Sequence, residues 1–348
     1  MKRLKKLSMI LLYLLLLCLL LEFSLRYFLK IRDKASFFDP KTIIYYYYPE
    51  LKEITETPIS NNDKFFDILI LDGSALNDKW GNVKSELYKQ LEGTGMKNVK
   101  IYNVAVPAHT SLDSRIKFEW LKDKDFDLVI FYHGINEVRF NNCPDSFFKS
   151  NYLHYLWYNE IINIVKHKEI KYTVIPYLIE SLKIGIQKKF KLRKYASIYN
   201  PDPEWVKYGA KIKTSSEFRK NLEQIIKLAG LKNTPVMVMT FAYYIPSDYS
   251  LDKFNSKKLD YSKHRSPLEW WGNPENVKSG MDAHNQVLKN VVSTNTYRKL
   301  YFIDMNNLIH KNGKNFDDAC HFTQEGSREF ASYMIPVIQK IALSYKKY

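Results

Sequence analysis

The sequence predicts an α/β fold: a three-layer α/β/α sandwich around a parallel five-stranded sheet. Short apolar runs of strand type recur along the chain, and helical patterns separate them. With 348 residues, 45% of them hydrophobic, the chain also has enough apolar material for a large core. Three cysteines without a CxxC pair, and glycines without a fixed period, exclude zinc-finger, disulfide-framework and collagen-like classes.

The chain begins with a basic tip and an apolar run. Met1–Lys6 carries four basic residues, and the segment Leu7–Leu21 is uncharged and rich in leucine. Basic residues before an apolar run keep the amino end in the cytoplasm, and the bulky residues that follow do not suit a signal-peptidase site. We therefore predict a single-pass anchor at 1–29, with Glu22 and Arg26 paired at the outer headgroups. A cleaved signal peptide and a buried helix of a soluble protein are the alternatives.

The net charge and its distribution limit the kinds of partner that the protein is expected to bind. A formal charge of +16 favours anionic neighbours. Export of the body, together with the lack of any nucleic-acid-binding motif, excludes nucleic acid, so a membrane surface or an acidic glycan remains. We expect a juxtamembrane stalk at 30–60 and an α/β domain at 61–348, interrupted at about 145–215 by a basic insertion. Its segment Gln187–Lys194 is typical of a solvated basic helix, or of an amphipathic element on anionic lipid.

The expected elements follow in chain order. Strands are predicted at 66–72, 99–104, 127–132, 235–241 and 300–304. A turn at Gly73 leads to a helix that reaches about Leu91, and another helix begins near Ser111. Thr323 is the expected N-cap of a last helix, from Gln324 to about Ser344. Because parallel sheets place functional side chains beyond the carboxyl ends of their strands, those ends are where chemistry is expected.

Polar clusters follow several of these strands. The first strand ends in Asp72-Gly-Ser74, the second leads to Ala108-His-Thr-Ser111, and the third ends in His133-Gly-Ile-Asn-Glu137. Beyond the fifth comes Asp317-Asp-Ala-Cys-His321. Each cluster is a weak signal alone, because a serine after a strand is usually a helix cap. Their order, each just beyond a strand, predicts one site at the carboxyl edge of the sheet.

With these clusters the chain resembles the SGNH (GDSL-type) hydrolase family, and its anchor resembles that of the family's bacterial membrane-anchored branch. The likeness covers roughly residues 65–140 and 216–345, and it implies the SGNH-hydrolase, flavodoxin-like fold. It implies that Ser74 is the nucleophile, His321 the general base and Asp318 the partner of His321. It also implies an oxyanion hole made by the backbone N–H groups of Ser74 and Ala108 and by the Asn136 amide.

The chemistry of these residue types supports the same roles. Serine is a poor nucleophile until a base takes its proton, histidine suits that task, and a carboxylate fixes the imidazole tautomer. The spacing of three residues favours Asp318 over Asp317 as the partner of His321. Two departures from the family pattern stand out. Asp72 brings a carboxylate near the nucleophile, which repels an anionic intermediate unless it points back into hydrogen bonds, and Ala108 adds a methyl group where the family has glycine.

The predicted function is that of a serine esterase that removes or transfers O-acyl groups, such as acetyl, on a cell-envelope glycan or a lipid-linked precursor. The alternative is a non-catalytic, membrane-tethered polysaccharide-binding relative. No cofactor or metal is expected, since His109 and His133 lie on loops without metal-ligand spacing. Cys143 and Cys320 are either free thiols or a disulfide. Substrate-binding residues are not predicted, although Trp270-Trp271 suits either a carbohydrate pocket or simple packing.

Overall fold

A computed structural model describes residues 2–60 and 63–345. The chain divides into two compact units, the smaller formed by residues 1–52 and 152–198 and the larger by residues 53–151 and 199–348. The α-helices are α1 (Lys2–Asp33), α2 (Ile44–Tyr47), α3 (Leu51–Glu56), α4 (Val83–Gly93), α5 (Ser111–Trp120), α6 (Ile135–Phe140), α7 (Leu156–Lys166), α8 (Ile175–Lys189), α9 (Ser215–Leu231), α10 (Leu251–Asn255), α11 (Pro274–Thr294), α12 (Met305–Leu308) and α13 (Gln324–Ser344). The strands are β1 (Phe66–Asp72), β2 (Val99–Asn103), β3 (Leu128–Tyr132), β4 (Val236–Met239) and β5 (Leu300–Ile303). Short 3₁₀ helices lie at Pro40–Ile43, Lys168–Lys171, Pro203–Tyr208 and Leu268–Trp270.

The larger unit is built around a five-stranded sheet in the order β2-β1-β3-β4-β5. Every neighbouring pair is parallel, with Ile70 of β1 opposite Asn103 of β2 and Ile130 of β3. The chain moves from β1 to one side for β2 and to the other side for β3, so the strand order reverses between β1 and β3. The carboxyl ends of those two strands therefore flank a crevice of the kind in which α/β sheets bind ligands.

Helices cover both faces of this sheet. On one face Ile68 of β1 shares a core with Leu87 of α4 and Phe330 of α13, and α4 packs against α13. On the other face Phe131 of β3 meets Phe218 of α9 with ring centroids 6.0 Å apart, and α5 packs against α9. All seven residues of β1 are buried for this reason. The predicted three-layer α/β/α class is confirmed.

The strand predictions differ from the structure mainly in length. β1 has the predicted bounds, and β2, β3 and β5 are each one residue shorter than predicted. β4 ends at Met239, although the apolar run continues to Phe241. Beyond Met239, Thr240 keeps one backbone bond, to the carbonyl of Ile303, and donates its hydroxyl to Asp304. The backbone N–H of Phe241 donates to the Asn285 side chain, so the sheet ladder has ended at that residue.

The smaller unit contains α1, α2, α7 and α8. Residues 4–21 of α1 are exposed, and the helix is long and apolar enough to cross a membrane. Within 30–60, the range expected as a stalk, Ile43, Ile44 and Tyr48 are buried. The basic segment Gln187–Lys194 is helical only in part, because α8 ends at Lys189 and Lys191 has a left-handed φ of 54°. The predicted domain boundaries stay a prediction.

Candidate active site

The nucleophile candidate lies on the tight turn that follows β1. Ser74 is nearly buried, and Asp72, the last residue of β1, is fully buried behind it. The Asp72 carboxylate accepts a hydrogen bond of 2.5 Å from the backbone N–H of Leu76, and burial raises its pKa to about 7. The carboxyl group thus points back into the turn. This orientation meets the condition under which Asp72 does not repel an anion formed at Ser74.

The structure brings Ser74, His321 and Asp318 into one hydrogen-bonded chain. Ser74 Oγ lies 2.9 Å from His321 Nε2, although 247 residues separate the two. The other ring nitrogen, His321 Nδ1, lies 2.8 Å from Asp318 Oδ2 and 2.9 Å from Oδ1. A base in contact with the hydroxyl, and a carboxylate in contact with the base, form the arrangement that activates a serine.

Backbone groups hold Asp318 in this position. Its Oδ1 accepts from the N–H groups of Cys320 and His321, each at 3.0 Å, and its Oδ2 accepts from Ser266 N–H at 3.1 Å. Asp317, the alternative considered from sequence, binds elsewhere: its Oδ2 lies 3.0 Å from Lys263 Nζ and 3.1 Å from Arg265 Nη2. Neighbouring carboxylates therefore have separate tasks, one facing the histidine and one binding two cations.

The oxyanion candidates converge on Ser74 from two further loops. Asn136, on the first turn of α6 after β3, donates from Nδ2 to the carbonyl of His109 at 2.8 Å. Its amide carries two hydrogens, and this bond uses one of them. Ala108 precedes His109 and has a left-handed φ of 68°. This is the conformation that favours glycine, which explains why the family pattern has glycine there.

Polar contacts hold the loop that contains Ala108 against the start of α6. Thr110 caps α5, and Asp113 completes the capping box by accepting from Thr110 N–H at 2.8 Å. Glu137 of α6 accepts from Ser111 N–H at 2.5 Å, and burial raises the pKa of Glu137 to about 7. The two oxyanion loops are thereby joined by a side chain from one to the backbone of the other.

A cavity of about 250 Å³ opens over these residues. Trp80 lies against His321, with ring centroids 4.4 Å apart and planes inclined by 31°. Trp271 is buried and Trp270 is half exposed. Both of these tryptophans line the cavity. The lining residues are Ser74, Trp80, Pro107, Ala108, Asn136, Arg139, Tyr199, Ser266, Trp270, Trp271 and His321.

Metal binding does not suit this arrangement. Among the described residues, one cluster has ligand atoms close enough for an ion, and it consists of Asp318, Cys320 and His321. A metal there would take the groups that already bind each other, and burial raises the pKa of the Cys320 thiol, which disfavours the thiolate that metals need. Burial lowers the pKa of both His109 and His133 to about 3, so these histidines are neutral. Among the described residues, Cys143 and Cys320 are not joined by a disulfide.

Sequence reasoning missed several cavity residues. Arg139 follows Asn136 by three positions on α6, a spacing that places both on one helical face and was available as a signal. Trp80 lies in the loop between β1 and α4, and Tyr199 is the first residue of the second chain segment of the larger unit. No local pattern predicts that these rings reach His321 or the cavity, because the contacts join parts of the chain that are distant in sequence.

Comparisons with known proteins bear on the fold. No protein-family model and no curated protein matches the chain. Among solved structures, a GDSL-like lipase from Bacteroides thetaiotaomicron is 10% identical, with a TM-score of 0.44 over 84% of this chain and 97% of that one. A lipase/acylhydrolase from Enterococcus faecalis is 13% identical, with a TM-score of 0.39 over 79% and 95%. An acetyl xylan esterase from Geobacillus stearothermophilus is 12% identical, with a TM-score of 0.40 over 80% and 97%. The chain is thus distantly similar to solved lipases and esterases.

Proposed function

We propose that the chain is a membrane-anchored serine esterase of the SGNH type. The observation that carries this proposal is the contact chain from Ser74 through His321 to Asp318 at the floor of an open cavity. Two further supports are the Asn136 amide beside the nucleophile turn and the Asp72 carboxyl group, which is hydrogen-bonded to the backbone of that turn. Each residue then has a defined part in acyl transfer.

In the first half of the reaction, Ser74 Oγ attacks the ester carbonyl carbon while His321 Nε2 takes the hydroxyl proton. The carbonyl oxygen becomes an oxyanion, which receives hydrogen bonds from Ser74 N–H, Ala108 N–H and Asn136 Nδ2. His321 then gives its proton to the leaving alcohol oxygen as the C–O bond breaks, and an acyl-Ser74 ester remains. Asp318 stabilises the imidazolium without taking its proton.

In the second half, an acceptor hydroxyl attacks the acyl-Ser74 ester while His321 takes its proton. Water as acceptor releases the free acid, and a sugar hydroxyl yields a new ester. The return of the proton from His321 to Ser74 Oγ restores the resting site. The same residues serve hydrolysis and transfer, and we propose an ester hydrolase. Which acceptor reacts, water or a sugar hydroxyl, depends on the molecule that occupies the cavity.

We propose an O-acylated glycan, or a lipid-linked glycan precursor, as the substrate. A cavity of about 250 Å³ holds a short acyl group such as acetyl more readily than a long chain. Trp270 and Trp271 offer flat aromatic faces at the cavity, and such faces pack well on the C–H face of a sugar ring. Arg139 adds a donor group in the same cavity.

We further propose that α1 is an uncleaved, single-pass anchor with its basic tip in the cytoplasm. Its exposed apolar surface and the lysines and arginine before it support this topology. The catalytic residues then work outside the cytoplasm, on the cell envelope. Nucleic acid has no place in this function.

Covalent labelling tests the proposed chemistry. The full chain in detergent is treated with a fluorophosphonate probe and analysed by intact mass. A single label is expected on the native protein, and none on Ser74→Ala or on heat-denatured protein. Ser266→Ala is a matched control, because Ser266 lines the same cavity but interacts with Asp318 through its backbone, so labelling should persist. Absence of labelling on the folded protein would overturn the esterase proposal and favour the polysaccharide-binding alternative.

A further inference from the structure

The charged pair of α1 contacts the beginning of α8. Glu22 and Arg26 lie 2.7 Å apart, as their spacing predicts. Glu22 also accepts from Thr173 Oγ1 at 2.9 Å and from Val174 N–H at 3.0 Å. Val174 is the N-cap of α8, and no side chain of α8 caps this end. Glu22 therefore supplies, from another helix, both the acceptor and the negative charge that a helix N-terminus favours.

Arg26 fixes the segment just before α8. Its guanidinium donates to the carbonyls of Lys171 and Tyr172, at 3.1 and 2.9 Å, and to that of Phe37 at 3.2 Å. The turn of α1 that follows the apolar run is thus the turn that holds the start of α8. Because the uncharged residues of α1 occupy the bilayer core in the proposed topology, Glu22 and Arg26 lie at the outer headgroups. It follows that α8 begins at the membrane surface.

α8 has apolar residues on two opposite faces. One face buries Tyr177 and Ile184 within the smaller unit. The opposite face exposes Ile179 (64%), Leu182 (64%) and Ile186 (41%), and it continues in Phe190 (64%) after the helix end. At about 100° per residue, these four side chains fall within an arc of roughly 80°. An exposed apolar stripe on a helix that begins at the membrane surface suits an element that lies in the membrane interface.

Lysines border this stripe. On the same helical projection Lys183 and Lys189 lie about 20° beyond its two edges. Lys191 adds positive charge just after the carboxyl end, and Glu180 is the one acid in α8. Lysine side chains at the edge of an apolar face reach outward to headgroups while their methylene groups stay with the lipid. The charge pattern suits anionic phospholipid.

We infer that α8 lies along the outer surface of the bilayer, with its apolar stripe among acyl chains and its lysines on anionic phospholipid headgroups. The chain then has two membrane contacts, one across the bilayer and one on it. This inference rests on the proposed anchoring by α1 and is independent of the proposed chemistry at Ser74.

Site-specific fluorescence tests it in the full chain, reconstituted in nanodiscs of phosphatidylcholine and phosphatidylglycerol. Two variants, Leu182→Cys and Lys188→Cys, each carry an environment-sensitive dye on the introduced cysteine. Both are made in a Cys18→Ser background, because Cys18 is exposed whereas Cys143 and Cys320 are buried. Lys188 is the matched control, because it is exposed on the same helix far from the stripe. Lipids brominated in the acyl chain are expected to quench the dye at Leu182 several-fold more than at Lys188, and aqueous acrylamide is expected to do the reverse.

Every outcome decides the inference. Equal quenching by brominated lipid at both positions, whether weak or strong, would overturn it, because the stripe would then show no preference for the acyl chains. Protection of Leu182 from acrylamide without lipid quenching would also overturn it, since a second copy or another protein would then cover the stripe. Lys183→Glu with Lys189→Glu should abolish the increase in lipid quenching caused by phosphatidylglycerol, whereas Lys207→Glu with Lys227→Glu, exposed lysines of the larger unit, should preserve it.

Fluorophosphonate labelling in the same nanodiscs separates the two proposals. Labelled Ser74 without lipid quenching at Leu182 would overturn the membrane contact alone. Lipid quenching at Leu182 without a labelled Ser74 would overturn the esterase proposal alone.

Discussion

Gly73 lies so close to the Asn136 amide that a single methyl group tests the oxyanion assignment. A Cβ atom at position 73 would lie 2.5 Å from Asn136 Nδ2 and 3.0 Å from the His109 carbonyl. Ordinary contact requires roughly 3.5 Å, so in Gly73→Ala the amide must withdraw by about 1 Å. The hydrogen bond between Asn136 and His109 then breaks or shifts. We expect the donor to leave the place where the oxyanion forms.

The expected loss follows from the cost of one missing oxyanion donor. Removal of such a donor lowers kcat by about 10²–10³, or roughly 3–4 kcal/mol of transition-state stabilisation. Gly73→Ala should therefore hydrolyse a chromogenic acetate ester at least about a hundredfold more slowly than the native chain. Gly93→Ala is the control, because a Cβ at the end of α4 meets no atom within 4 Å, and its rate should equal that of the native protein.

A double variant shows whether Gly73 acts through the amide. If it does, Gly73→Ala combined with Asn136→Ala should be no slower than Asn136→Ala alone, since the same donor is lost once. Rates are measured on the full chain in detergent, with the Ser74→Ala rate subtracted. Native-like activity of Gly73→Ala, or multiplication of the two losses in the double variant, would refute the reasoning.

Three further predictions concern stability, measured by urea unfolding of the full chain in detergent. Ala108→Gly should gain up to about 1 kcal/mol, because relief of a left-handed φ of 68° outweighs the added freedom of the unfolded chain; a loss would contradict this. In Asp72→Asn the stability relative to the native protein should rise between pH 3.8 and about 7. Because its pKa is raised, Asp72 holds a proton in the folded native chain that it releases in the unfolded chain. The free energy of unfolding of the native chain therefore falls as pH rises through that window. A pH-independent difference between the two proteins would refute this prediction. Thr323→Ala should cost about 1 kcal/mol, because Thr323 Oγ1 accepts from Gly326 N–H at the start of α13; an unchanged midpoint would exclude this cap.

The sequence predicts the sheet well because its signals are local. β1 contains the apolar run Ile68–Leu71 between Asp67 and Asp72, and the turn at Gly73 marks its end, so this strand was predictable. Thr323 and Gln324 likewise mark the start of α13 by ordinary capping chemistry. At β4 the apolar run outlasts the strand. Only the distant partners Asn285 and Asp304 decide where the ladder stops, and the sequence does not reveal them.

Some residues of the candidate site were likewise predictable from local patterns, and others were not. The sequence pointed to Ser74 and Asn136 because each follows a strand within a short pattern. It pointed to Asp318 and His321 because these two residues share a short pattern before the last helix. Trp80 and the cavity wall were not predictable, since their positions depend on how distant loops pack around His321. The different contacts of Asp317 and Asp318 also depend on the fold, because adjacent carboxylates differ only in which cations and N–H groups reach them.

The contacts of Glu22 and Arg26 have a practical consequence for the design of a soluble form. A truncation that begins after α1 removes the acceptor for Val174 N–H and the donors for the carbonyls of Lys171 and Tyr172. The backbone groups at and just before the start of α8 would then bind water or find new partners, and α1 would no longer hold this end of the helix. A preparation without α1 would thus lack part of its own folded structure, even where its larger unit stays intact.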